Sequence, residues 1–306
     1  MSPGAALRSG SSTACPGPAR PVVAGLPVRS RCLVMGILNV TPDSFSDGGR
    51  YLDTGRAVAH GLALSAEGAD LVDVGGESTR PGAGRVPIGE ELRRVLPVVR
   101  ELAAAGVVTS VDTTRAVVAE AAVAAGASVV NDVSGGLADP AMGHVVAAAG
   151  VPYVAMHWRA PSAVMHRFAG YHDVVAEVVD AMRARVDALV GAGVAPDRIV
   201  IDPGLGFAKR PEHDWRLLDR LEVLVATGLP VLVGASRKSF LRRLRNPGDD
   251  PTPESLDAAT AAVSVLAARA GVFCVRVHDV SGSVLAVRVA RATPAPNRFP
   301  PAARHE

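Results

Sequence analysis

The sequence predicts an α/β fold, a single-domain (β/α)8 TIM barrel, and three observations lead to it. A short apolar, β-branched run, a polar or glycine-rich turn and a helix-like stretch follow one another eight times. The connections from each helix into the next run are short, and most carry a glycine suited to closing a helix. Each of the eight runs ends in a polar side chain, and in a parallel barrel those ends converge on one face.

The first run spans 32–38 and ends at Asn39. The second, 71–74, contains Asp73 and leads into the turn Glu77-Ser78-Thr79-Arg80. Asp112 follows the third run (107–111), Asn131-Asp132 the fourth (128–130), His157 the fifth (153–156) and Asp202 the sixth (199–201). Ser236-Arg237-Lys238 follows the seventh (231–233), and the eighth (272–277) holds Arg276 and is followed by His278. Among the helices, 173–190 is set by Val174, Val178, Met182, Val186, Leu189 and Val190 at helical spacing. Thr252-Pro253 and Asp139-Pro140 each predict a cap followed by proline in the first helical position. Gly68, Gly106, Gly126, Gly150, Gly191 and Gly271 predict helix ends. No GxGxxG follows the first strand and no GxxxxGK[ST] occurs, which favours a closed barrel over an open, doubly wound sheet.

Composition bounds the function. The 306 residues are 48% hydrophobic, enough for one large core, and an eightfold barrel takes roughly 250 residues. A net charge of +2 gives no electrostatic case for nucleic acid or an anionic membrane. Only 4% of residues are aromatic, which argues against a stacking platform for single strands. No apolar run is long enough to span a bilayer. Cys15, Cys32 and Cys274 are scattered and form no CxxC, against a disulfide framework or a cysteine zinc site, so the cytoplasm is the expected compartment. Residues 1–30 are rich in Gly, Ser, Pro, Ala and Arg and read as a disordered N-terminal tail. The barrel is expected over 31–293, and a second tail over 294–306.

The strand ends suggest chemistry. Asp112, Asn131 and Asp202 together offer fixed donors and acceptors for a planar heterocycle with amino and carbonyl edges. Each would also serve as a helix cap; three on one face favour the ligand. Arg237, Lys238, Arg276 and His278 stand at the last two strand ends, where barrels commonly bind phosphate. Arg276 lies inside an apolar run, so it must meet an anion or a carboxylate, and the phosphate site favours the anion. Asn39 precedes a long Pro- and Gly-containing turn able to act as a lid, and it is either a turn former or an oxygen ligand of Mg²⁺. His157 reads as a core histidine, and no HExxH pair supports catalytic zinc.

These residues sit in motifs that resemble the dihydropteroate synthase family. Segment 35–49 reads MGILNVTPDSFSDGG and is similar to the family's first signature; 72–83, VDVGGESTRPGA, is similar to the second. The likeness continues through SVDT (110–113), VNDVSGG (130–136), AMH (155–157), DPGLGFAK (202–209), GASRKSF (234–240) and RVHDV (276–280). It covers 31–293 in order, and Met156-His157-Trp158-Arg159 with the Ala/Val/Arg-rich helices resembles actinobacterial members. The resemblance implies a TIM barrel that joins p-aminobenzoate to 6-hydroxymethyl-7,8-dihydropterin diphosphate, using Mg²⁺ and commonly as a homodimer. It implies that Asp112, Asn131, Asp202 and Lys238 hold the pterin, and that Asn39, Thr79, Arg276 and His278 serve the diphosphate and its Mg²⁺. Phe45 and Pro81 would shape the p-aminobenzoate pocket, while Phe207, Arg80, Asp47 and Ser239 would lie near the amine, the loop closure and the carboxylate. Sulfonamides, as mimics of p-aminobenzoate, would be inhibitors. The competing expectations are an impaired pterin-binding paralogue, a pterin-barrel methyltransferase, which has no use for the diphosphate cluster, and a sugar-phosphate barrel enzyme, which needs an acid/base pair not found here.

Overall fold

A computed structural model describes residues 21–41, 50–78, 84–244 and 252–293. The strands are β1 (Leu33–Asn39), β2 (Leu71–Gly75), β3 (Thr109–Asp112), β4 (Val129–Asp132), β5 (Tyr153–Met156), β6 (Ile199–Asp202), β7 (Leu232–Val233) and β8 (Cys274–Val277). Helices α1 (Arg50–Ala66), α2 (Ile88–Ala104), α3 (Ala116–Ala124), α4 (Met142–Ala149) and α5 (Val174–Gly191) follow the first five strands. Helices α6 (Pro211–Asp219) and α7 (Leu221–Val225) follow β6, α8 (Ser239–Arg242) and α9 (Pro253–Ala270) follow β7, and α10 (Val280–Ala292) ends the described chain.

All the strand pairs are parallel, in the order β6-β5-β4-β3-β2-β1-β8-β7. The circle is completed between β6 and β7 by an isolated bridge, Ile201 to Val231, and by Ile201 N–H donating to Pro230 O at 2.9 Å. The expected barrel is therefore present.

Both faces of each strand are buried, which is why the runs read as nearly continuous Val, Ile and Leu. Leu33, Met35, Leu71, Val129, Val154, Val200, Leu232 and Cys274 pack together inside the barrel. Their neighbours Val34, Val72, Val74, Val111, Val130, Ile201, Val233 and Val275 pack outward against the helices. Burying one such side chain is worth roughly 1.5–3 kcal/mol, so these two apolar layers dominate the stability of the scaffold.

The packed body starts earlier than composition suggests. Within the segment expected as a tail, Val23 is 2% exposed and packs with Leu26 against Leu33 and Phe273. Arg29 and Arg31 fix this lead-in by pairing with the buried carboxylate of Asp70, at 3.1 and 2.6 Å.

Helix ends show two corrections. Thr252 caps α9 as expected, with Pro253 at its first position. Asp139-Pro140 does not open a helix, because α4 begins two residues later. Asp139 instead accepts from Ala141 N–H and, at 2.8 Å, from Ala116 N–H, so it caps α3 across space. Gly191 is the last residue of α5 rather than its cap, and the left-handed turn falls at Gly193 (φ 98°). The other five expected glycines do take left-handed backbone. Among the described residues no helix is long and apolar enough to cross a membrane.

Candidate active site

Strand alternation has period two, and it fixes what lies above the barrel's inner apolar layer. Two residues beyond Leu71, Val129, Val154, Val200, Leu232 and Cys274 come Asp73, Asn131, Met156, Asp202, Gly234 and Arg276. Asn39, Asp112 and Asp202 are the last residues of their strands, not the first of the loops. Register places Gly75 beside both Asn39 and Asp112, and Asp112 beside Asn131. The pleat rather than a loop therefore aims these side chains.

None of the three ring-binding candidates caps a helix. The residues preceding α3, α4 and α6 are Arg115, Ala141 and Arg210, which removes the capping alternative for Asp112, Asn131 and Asp202.

At the centre lies Arg276. Its Nε donates to Asp73 Oδ2 at 2.6 Å and its Nη2 to Asp112 Oδ2 at 2.7 Å. Asn131 Nδ2 donates to the same Asp73 oxygen at 2.8 Å. Of the two partners expected for Arg276, an anion or a carboxylate, the structure shows the carboxylate, twice over. Two of the five guanidinium N–H donors are used in this way, and the side chain keeps 20% exposure. Asp73 is legible in sequence as a strand residue, but the strand-end pattern assigns it no role. It is fully buried, and a signal for the pair exists: an Asp inside Val-Asp-Val and an Arg inside Val-Arg-Val each need a buried opposite charge.

A second group surrounds Gly234. A Cβ at that position would lie 3.8 Å from Asp202 Oδ2, 3.9 Å from Lys238 Nζ and 3.9 Å from Arg276 Cβ. The missing side chain leaves a gap edged by a carboxylate, an ammonium and the Arg276 stem. Asp202 Oδ1 accepts from Gly204 N–H at 2.7 Å. Lys238 donates to Leu205 O, and its ammonium stands 4.7 Å from the Phe207 ring centre. Lys209 supports the same loop from behind, donating to Gly204 O at 2.9 Å and Phe207 O at 3.2 Å, with its Nζ 3.1 Å from His157 Nδ1. Sequence pattern gives Lys209 no role beyond its place in the motif.

Burial moves the ionisable groups. Asp112 is raised to about 7, first by burial, against the lowering pull of Arg276. Burial likewise raises Asp202 despite Lys238 nearby. It lowers Lys238 to about 8 and Lys209 to about 7. His157 falls to about 2 through burial and the adjacent Lys209 and Arg159 cations; it is a neutral core histidine, as expected.

At the last strand end, Ser236 Oγ accepts from His278 N–H at 3.1 Å and lies 2.9 Å from His278 Nδ1. Ser239 opens the short helix α8 right after Lys238 and is exposed. Arg237 turns away from the mouth into a two-pronged ion pair with Asp257 on α9, at 2.8 and 2.7 Å. Phe45, Asp47, Thr79, Arg80 and Pro81 lie outside the described residues.

Among the described residues no group of three His, Cys, Asp or Glu is placed to hold a metal. Asn39 Oδ1 and Asp112 Oδ2 flank the bare face of Gly75, 3.9 and 3.8 Å from where its Cβ would be. One amide oxygen beside a carboxylate, with no full cage, suits a hard cation that brings phosphate oxygens and water as its other ligands.

The family profile described as pterin binding enzyme matches residues 35–278. The chain is 58% identical over 262 residues to the dihydropteroate synthase of Mycobacterium leprae, covering 85% of this chain and 92% of that one. Its fold is similar to that of the Xanthomonas albilineans dihydropteroate synthase solved with 4-aminobenzoic acid, with a TM-score of 0.80, 46% identity and coverage of 87% and 95%. It is also similar to a Yersinia pestis dihydropteroate synthase in a sulfonamide drug complex, with a TM-score of 0.82, 39% identity and coverage of 90% and 98%.

Proposed function

The chain belongs to the pterin-binding enzyme family as a dihydropteroate synthase, and from that premise we propose how its barrel mouth divides the work. The enzyme is a transferase. It joins p-aminobenzoate to 6-hydroxymethyl-7,8-dihydropterin diphosphate, giving 7,8-dihydropteroate and diphosphate, and it is a sulfonamide target.

The observation that supports this reading is the space left by the missing side chain of Gly234, with a carboxylate acceptor and an ammonium donor on its edges. Asn131, Asp202 and Lys238 hold the pterin there, and Asp112 closes the far side. In the reaction the bond from the methylene carbon to the diphosphate oxygen breaks, and its electrons leave with diphosphate. The cation that remains is spread over the ring, where the carboxylates of Asp112 and Asp202 stabilise it. Arg276 has unused N–H donors for the departing anion, and His278 stands two residues further out on the same side. The aryl amine is already neutral and attacks the carbon; its extra proton passes to water. Phe207 and Ser239 serve the amine and carboxylate of p-aminobenzoate; the family likeness assigns Phe45, Asp47, Arg80 and Pro81 to the same substrate and Thr79 to the diphosphate, all outside the described residues.

The Asn39 carboxamide oxygen would hold Mg²⁺ beside the diphosphate. When bound, the ion neutralises charge on the leaving group. We also assign the protein to the cytoplasm, in accord with the buried thiols of Cys32 and Cys274. The functional unit is a homodimer, supported by the exposed apolar residues Leu266 on α9 and Leu285 and Val289 on α10; equilibrium sedimentation tests it.

The deciding assay mixes purified protein, dihydropterin diphosphate, Mg²⁺ and radiolabelled p-aminobenzoate. Labelled dihydropteroate that requires Mg²⁺ is the expected result. Calorimetric pterin binding without product would identify an impaired paralogue. A folded protein that binds no pterin would overturn the assignment of the mouth.

A further inference from the structure

We propose that Ser236 is a positioning residue that holds His278 in the tautomer with the proton on Nε2, so that the histidine meets the departing diphosphate as a hydrogen-bond donor.

The inference rests on proton counting at one hydroxyl. The backbone N–H of His278 can only donate, so at 3.1 Å Ser236 Oγ accepts it. The same oxygen lies 2.9 Å from His278 Nδ1. Either the hydroxyl donates to Nδ1, or Nδ1–H donates to the hydroxyl. In the second case the Ser236 proton needs another acceptor. Ser236 is 7% exposed, and these two contacts are its hydrogen bonds among the described residues. Leaving a buried donor unpaired is costly enough to bias the tautomer ratio about tenfold or more. The first arrangement therefore wins: Nδ1 accepts and Nε2 carries the proton.

The hydroxyl is held in place from outside the barrel. Arg237, next in sequence, has left-handed backbone (φ 56°), a conformation that costs a non-glycine residue free energy. Helix α9 imposes it. Asp257 grips the Arg237 guanidinium through two hydrogen bonds, and Thr260 Oγ1 accepts from Arg237 N–H at 3.4 Å. Ser236 is thus fixed by its own strand on one side and by α9 on the other.

The role follows from the ring. Nε2 is on the side of the imidazole away from Ser236, and a neutral histidine protonated there is a donor without a lone pair at that nitrogen. It can hydrogen-bond an anionic oxygen; it cannot bind a cation or take up a proton through Nε2 in that state. The diphosphate part of this role depends on the function proposed above, whereas the tautomer does not.

The test reads both. The ¹⁵N-histidine-labelled full chain is examined by NMR at about pH 8, where an ordinary histidine is neutral, and His278 is assigned by its loss in His278→Gln. Protonated Nε2 with unprotonated Nδ1 is expected. Protonated Nδ1 in the unsubstituted protein overturns the proposal. Ser236→Ala should mix the tautomers, weaken inhibition by inorganic diphosphate about tenfold, and leave the KM for p-aminobenzoate unchanged. Ser236→Thr, which keeps the hydroxyl, should restore both signals. If Ser236→Ala keeps the single tautomer and the same inhibition, Ser236 has no positioning role. Failure to make dihydropteroate would overturn the synthase reading, whereas the spectrum of the free protein decides the tautomer independently.

Discussion

Arg276 Nε rests 2.6 Å from Asp73 Oδ2, linking β8 to β2 across the barrel interior. Asp73 is fully buried, and its Oδ2 also receives Asn131. Breaking a buried pair by removing one partner typically costs 3–5 kcal/mol, because the other charge is left uncompensated. Asp73→Asn should therefore lose about 3 kcal/mol of stability in denaturant unfolding. It should also lower kcat, since Arg276 and Asn131 would lose a common anchor. A variant as stable as the parent would show that Asp112 alone is sufficient for the arginine.

Asp112 links activity to pH. Burial first, and the neighbouring Asp73, raise it to about 7, while Arg276 opposes them. The ionised form is the one that stabilises a cation, so kcat should rise as pH increases through about 7. Stability should move the other way. The unfolded carboxyl gives up its proton near 3.8, before the folded one does. The contribution to stability is therefore full below 3.8 and is lost as pH rises through 7. Asp112→Asn should remove both trends together with most of the turnover; a pH–rate profile unaltered in shape would refute the assignment.

His157 predicts acid sensitivity. Its folded value of about 2 lies far below the ordinary 6.5, because of burial and the Lys209 and Arg159 cations. Below pH 6.5 the unfolded chain binds a proton that the folded chain refuses. Stability should thus fall by about 1.4 kcal/mol per pH unit as the pH drops below about 6.5. His157→Asn, which can still accept from Lys209, should flatten this slope in thermal melts recorded between about pH 6.5 and 5. A parallel slope in the variant would place the acid sensitivity elsewhere.

Gly234→Ala tests the gap directly. The methyl group would sit 3.8 Å from Asp202 Oδ2 and 3.9 Å from Lys238 Nζ, in ordinary contact, so the fold should survive. The ring would lose its seat, and the KM for dihydropterin diphosphate should rise at least about tenfold, equivalent to ~1.4 kcal/mol, with little change in Tm. Unchanged KM would mean that the pterin does not lie over this glycine.

Much of this is legible in sequence because the barrel repeats one local rule. A β-branched run buried on both faces, then a polar residue, announces a strand end, and Asn39, Asp112, Asn131 and Asp202 all announce themselves this way. What sequence pattern misses depends on contacts distant along the chain. Asp73 and Arg276 are 203 residues apart, and the order of burial that pairs them is set only when the barrel closes. Asp139-Pro140 carries a good local cap signal, but the amide it satisfies on α3 lies 23 positions earlier. Val23 looks like part of a tail because the apolar stretch between Pro21 and Pro27 is too short to show a period; only packing against Leu33 and Phe273 gives it a place. Gly191 and Gly193 are indistinguishable by pattern, since either would end α5 within the same turn.

The barrel is a hoop with one weak link. Elsewhere its staves are held by runs of backbone hydrogen bonds, but among the described residues β6 and β7 are bridged only at Ile201 and Val231. Asp202 stands beside this join on one side, and Gly234 with Lys238 follows it on the other. Backbone hydrogen bonding therefore contributes least to the closure at this point. Asp202 on one side and Lys238 on the other depend on that join for their spacing, so the two edges proposed for the ring are kept apart by the barrel's most lightly bonded seam.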